Sequence, residues 1–79
     1  MDNGIENQRF VLELGPAYWN IARKWAHEQS VSSPDEDSIL AVAASMPRKI
    51  PTEKQSWRLI QIKDKLELEG FPKPEPTRN

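Results

Sequence analysis

The sequence predicts an all-α fold: a compact three-helix domain with a short N-terminal segment packed on it and a disordered, proline-rich C-terminal tail. Three observations carry that prediction. Ser33-Pro34-Asp35-Glu36 and Thr52-Glu53-Lys54-Gln55 are capping boxes, in which a hydroxyl and a side chain three residues later satisfy helix-opening N–H groups reciprocally. Residues 16–29 place their apolar side chains on one arc of a helical wheel. Pro47 and Gly70 stand where two of these helices must stop. At 79 residues the chain is one small domain that buries only roughly 60% of its unfolded surface, so any uncovered apolar face matters.

Residues 1–9 are polar and read as a flexible N-terminus, leaving 10–71 as a single helical domain. Phe10-Val11-Leu12-Glu13-Leu14 is ambiguous: a short helix, or an extended piece alternating Phe10, Leu12 and Leu14. A strand there needs a partner, either Leu59 to Lys63 or a second chain, so the helix is preferred. Gly15-Pro16 opens the first long helix, about 16–29. Its arc holds Ile21, Trp25, Tyr18, Ala22, Ala26 and Trp19, with Asn20, Arg23, Lys24 and His27 opposite. The second helix, 34–46, has Pro34 at its first position and Asp35, Glu36 and Asp37 at the positive end of its dipole. Its alanines 41, 43 and 44 admit a bulky neighbour, which the aromatic arc of the first helix would supply. The third helix, 53–69, ends at Gly70 in the left-handed conformation, which folds Phe71 back onto Leu66. Beyond it Pro72, Pro74 and Pro76 alternate with charges, and 72–79 reads as a disordered tail.

The third helix has more apolar surface than one neighbour can cover. Leu59, Ile62 and Leu66 form one stripe, and Trp57, Ile60 and Leu68 another on nearly the opposite side. The plainer explanation makes this helix central, with the first two helices on one side and the 10–14 segment plus Phe71 on the other. The sharper one leaves a stripe for a protein partner or a second copy, since an exposed apolar row on a monomer usually marks an interface. A strand, with Ile60 and Ile62 alternating around Gln61, is a third and lesser reading. Trp25, mid-arc, reads as core; Trp19, at the edge of its arc, and Trp57 are the better interface candidates.

Catalytic, metal and cofactor sites are not expected. His27 is the only histidine and falls at the centre of a polar face, with no second histidine for a metal. Asp35-Glu36-Asp37 lacks the alternating ligands and turn glycine of a calcium loop. Gly4, Gly15 and Gly70 are isolated, so no phosphate-cradling loop exists and no small-molecule substrate is implied. The absence of cysteine excludes disulfides and thiolate chemistry and fits a reducing, cytoplasmic setting. The longest apolar run, Ile39 to Ala44, is far short of a membrane span, and no secretory signal opens the chain.

Charge is unevenly divided. Residues 1–45 hold three basic and seven acidic side chains, net −4, whereas 46–79 hold eight and five, net +3. Arg48 and Lys49 precede the third helix, and Lys54, Arg58, Gln61 and Lys65 then follow at i, i+4, i+7 and i+11 in one line. Loop cations with a basic row on a helix can track a phosphate backbone. The plainer reading is a solvated edge between the apolar stripes, and a pI near 5.8 is low for a nucleic-acid binder. The phrase Ile50-Pro51-Thr52-Glu53-Lys54-Gln55, with the ending Glu69-Gly70-Phe71, resembles helical appendages of some bacterial mobile-element and phage-conflict proteins. No residue role is carried over from that resemblance.

The function expected from the sequence is therefore a small, non-catalytic protein-interaction module or accessory factor. It would bind a protein partner or itself through Trp57, Ile60 and Leu68, with Trp19 as a further contact. The alternative is a nucleic-acid-binding helical protein using Arg48, Lys49, Lys54, Arg58 and Lys65.

Overall fold

The computed structural model describes residues 4–72 and shows three helices: α1 Gly4–Gln29, α2 Pro34–Ala44 and α3 Glu53–Leu68, with no strand among the described residues. The fold is all-α, as the sequence predicts. Its radius of gyration of 11.7 Å and extents of 31 × 30 × 26 Å describe a nearly isotropic body. Helix α1 is the hub: α2 and α3 each pack along it and make little contact with each other.

Helix α1 is two helices joined by a sharp bend. Gly15 has φ 84° and ψ 161°, a combination essentially confined to glycine. Pro16 then restarts the helix, where its missing N–H costs nothing. Breaking a helix strands carbonyls of the preceding turn, and the Trp19 indole Nε1–H donates to the Val11 carbonyl at 3.1 Å. The helix begins at Gly4, inside the stretch expected to be a flexible terminus, so residues 4–14 form an arm. The arm follows α3: Gly4 lies against Glu53, the Gln8 side-chain amide donates to the Pro51 carbonyl at 2.8 Å, and the Phe10 ring lies 5.7 Å from Lys63 Nζ. These are long-range contacts, invisible to a local reading of a polar segment.

Both capping boxes form. Ser33 Oγ accepts from the Glu36 N–H at 3.2 Å, and Glu36 Oε1 from the Ser33 N–H at 3.0 Å. Thr52 Oγ1 accepts from the Gln55 N–H at 3.0 Å, and Gln55 Oε1 from the Thr52 N–H at 2.9 Å. At the far end of α3, Gly70 takes φ 116°. The Phe71 N–H donates to the Leu66 carbonyl at 2.9 Å and the Gly70 N–H to that of Glu67 at 3.1 Å, the paired bonds of a Schellman ending. Helix α1 ends the same way on a serine: Ser30 has φ 57°, with Val31 bonded back to Ala26 and Ser30 to His27. Helix α2 stops at Ala44, two residues before the expected end, and Met46 turns into the core. Of the expected tail only Pro72 is described; 73–79, like 1–3 of the expected flexible start, lie outside the described residues.

The core joins Val11, Trp19, Ala22 and Ala26 of α1 to Leu40 and Ala43 of α2 and Leu59, Ile62 and Leu66 of α3, closed by Met46 and Phe71. Two expectations for α1 are corrected here. Trp19, read as an interface residue at the edge of its arc, is fully buried, whereas Ile21, read within the apolar arc, is exposed. The wheel weighted bulk, but closest approach between helices selects small side chains. Ala22 and Ala26 therefore sit at the contact, and Trp19 shares their side of the helix. The arc of α1 shares the core with Ala43 of α2, and its aromatic flank also meets the end of α3: Tyr18 and Trp25 pack on the Phe71 ring, at centroid separations of 5.8 and 5.3 Å.

Candidate functional site

Helix α3 carries Lys54, Trp57, Arg58, Ile60, Lys65 and Leu68, whereas Trp19 lies on α1 and Arg48 and Lys49 in the loop before α3. Its inward face buries Ser56, Leu59, Ile62, Lys63 and Leu66. Ile60, expected on the free stripe, is half-buried and packed against the core. Trp57 and Leu68 remain outside, 45% and 88% exposed. They stand at i and i+11 of one line whose intermediate positions are Gln61 and Asp64, so they are two anchors about 16 Å apart along the helix axis rather than a continuous apolar row.

The basic row is divided between two fates. Arg58 Nη2 donates to Asp35 Oδ2 at 3.2 Å, and Lys65 Nζ lies 2.9 Å from Glu36 Oε1. The acids that open α2 thus serve its dipole and also hold the cations of α3. Burial alone would raise the Glu36 carboxyl, but the bonds from Lys65 and from the Ser33 backbone prevail and hold it below the usual range. Arg48, Lys49 and Lys54 are exposed and make no ion pair among the described residues. The opposite net charges of the two halves of the sequence were the signal for this pairing, because the acidic and basic halves bind each other across α2 and α3.

Between the first turns of α2 and α3 lies an open cleft of about 350 Å³ lined by Asp35, Ile39, Lys54, Gln55, Trp57 and Arg58. Its position follows from the fold: both helices are anchored on α1, and the first turn of α2 is tied to α3 by Arg58–Asp35 beside the cleft and by Lys65–Glu36 in the last turn of α3. The cleft brings Trp57 beside Lys54 and Arg58, uniting residues that the sequence assigned to two different functions. It does not include Leu68, Arg48, Lys49 or Lys65.

Two other polar groupings are bound up in the structure. Arg23 makes a bidentate pair with Asp37, at 2.9 and 3.1 Å, in a cleft of about 330 Å³ that His27 also lines. The bond from Arg23 keeps the Asp37 carboxyl below its ordinary value. On the inward face of α3, Lys63 Nζ lies 2.8 Å from Glu67 and 3.2 Å from Asp64. Burial pulls the Lys63 ammonium down, yet its two carboxylate partners outweigh that and raise it. The Tyr18 hydroxyl is buried without a hydrogen-bond partner and pushed well above its ordinary value, first by burial and then by the charges of Glu67 and Asp64. Sequence reasoning passed over this group because Tyr18 and Glu67, on different helices, come near each other only in the fold. Lys63 is shared between the two carboxylates.

One further surface had no sequence signal. Ile5 and Leu12 share a face of the arm and are exposed, as is Ile50, which precedes the residue that Gln8 bonds. Among the described residues no His, Asp and Glu side chains converge as metal ligands, and no helix is long and apolar enough to cross a membrane. Comparison of the chain with known protein families, with curated proteins and with solved structures yields no match.

Proposed function

We propose that this chain is a small, non-catalytic, cytoplasmic protein-interaction module that engages a protein partner, or a second copy of itself, through the outer face of α3. The observation that carries the reading is the exposure of Trp57 and Leu68 on a helix whose other apolar stripe is fully buried. A large indole and a leucine left in water on so small a domain are the residue types that anchor interfaces. Ile60 contributes from beneath as support, and Trp19 is part of the core that holds the face rigid. A nucleic-acid role is the weaker reading, because Arg58 and Lys65 are engaged by Asp35 and Glu36 and a phosphate would have to displace those acids.

The test is site-specific photocrosslinking in the native host, with a photoreactive phenylalanine analogue at position 68 and, as a control, at position 21, which is also exposed but lies on α1. The expected result is a discrete crosslinked species from position 68 alone that disappears when Trp57→Ala is added. Equal crosslinking from both positions, or indifference to Trp57→Ala, defeats the reading.

A further inference from the structure

The interaction reading says which face is used, and the cleft beside Trp57 says more about what it receives. Resting on that reading, we infer that the cleft between α2 and α3 takes an acidic, apolar-anchored segment of the partner protein. An aliphatic or aromatic side chain of that segment lies against Ile39 and Trp57, and a neighbouring carboxylate lies on Lys54 and Arg58.

Shape comes first. Asp35 and Ile39 are one turn apart on α2, and Lys54 and Arg58 are one turn apart on α3, so a single turn of each helix faces the gap. At about 350 Å³ the cleft falls within the range that holds small organic groups. It is open along one side, which suits a side chain projecting from an extended or helical segment.

Charge then selects the occupant. Lys54 has no ion-pair partner among the described residues, and Arg58 gives a single hydrogen bond to a carboxylate that is itself mostly exposed. A guanidinium has five N–H donors, so Arg58 can hold Asp35 and still offer its free edge to a second carboxylate. A phosphate backbone fits this arrangement less well. Its charges come in a continuous row, and two cations of the row on α3, Arg58 and Lys65, are already held by Asp35 and Glu36. A lone carboxylate beside an apolar side chain needs only Lys54, Arg58, Ile39 and Trp57, all of which the cleft presents together.

The experiment is selection from a random dodecapeptide display library on the immobilised full chain, with a labelled DNA duplex titrated in parallel. The expected outcome is enrichment of peptides carrying Asp or Glu next to Leu, Phe or Trp. Their affinity should fall about tenfold for Lys54→Glu and for Trp57→Ala, and weaken with salt. Both substitutions are at exposed positions, and unchanged circular dichroism checks that the fold survives. Neutral or basic peptides that still need Trp57 would overturn the acidic occupant while leaving the interaction reading intact. Failure to enrich any peptide, or peptides indifferent to both Trp57 and Leu68, would overturn both. Duplex binding with the same dependence on Lys54 and Trp57 would assign the cleft to nucleic acid and overturn the inference.

Discussion

The two faces of α3 have similar apolar content and different surroundings. Leu59, Ile62 and Leu66 join the core and are buried, whereas Leu68 stands in water and Trp57 is left half-exposed at the cleft beside α2. Between the faces, Ile60 leans inward and Lys63 is carried inside with Glu67. A helical wheel ranks residues by their own chemistry. What separates these two stripes is where α1 runs, and α1 is steered by a bend at Gly15. The difference teaches that surplus apolar surface can be counted from a sequence, but which part stays free is decided by a distant turn.

The sharpest way to break the comparison is to truncate one leucine from each face. Leu59→Ala should cost about 2–5 kcal/mol of unfolding free energy, a large share of what so small a domain has. Leu68→Ala should stay within about 0.5 kcal/mol. Urea unfolding of the two variants measures both, and equal losses would mean that the faces are not distinct. Next in size is Gly15→Ala, which should cost about 1–3 kcal/mol, because a side chain at φ 84° is strained even where space is open. Thermal unfolding reads that loss, and near-ultraviolet circular dichroism should show Trp19 disturbed as the arm shifts.

A third test uses the polar seam on the inward face. The Tyr18 phenol is raised above its ordinary value of 10.0 by burial and by Glu67 and Asp64. The unfolded chain therefore ionises it first, and the stability linked to it is whole below that pH and is lost as pH climbs further. Lys63, also raised, acts in the same direction. Tyr18→Phe should flatten the alkaline fall in melting temperature while leaving the acid limb unchanged. That acid limb belongs to Asp37 and Glu36, whose depressed carboxyls contribute stability at neutral pH that is lost as pH falls through their folded values. The smallest effect is expected on the outer edge. Arg58→Ala should cost about 0.2–1 kcal/mol, and the difference should vanish in high salt, because an exposed ion pair is screened.

Much of this fold was legible because its punctuation is local. Ser33 with Glu36, Thr52 with Gln55, and Gly70 with Phe71 each complete their hydrogen bonds within a few residues. The arm was not legible, because the bonds that order it run from Gln8 to Pro51 and from the Trp19 indole across the bend. The same limit explains Trp19, whose burial follows from the alanines beside it and from a carbonyl eight residues back. At the candidate site the exposure of Trp57 and Leu68 was anticipated. The cleft was not, since no local pattern says that α2 and α3 will lean on a common neighbour instead of on each other.

That last arrangement has a mechanical meaning. Two helices fixed to a third make few contacts with each other. The bonds Arg58–Asp35 and Lys65–Glu36 tie the first turn of α2 to α3. Both lie at the solvent boundary, where dissolved ions weaken them. The opening between α2 and α3 should therefore widen as ionic strength rises, with faster amide exchange in the first turn of α2 and none in α1. An arriving carboxylate would meet Arg58 as well, so the tie between α2 and α3 and the chemistry of what enters beside it share one guanidinium.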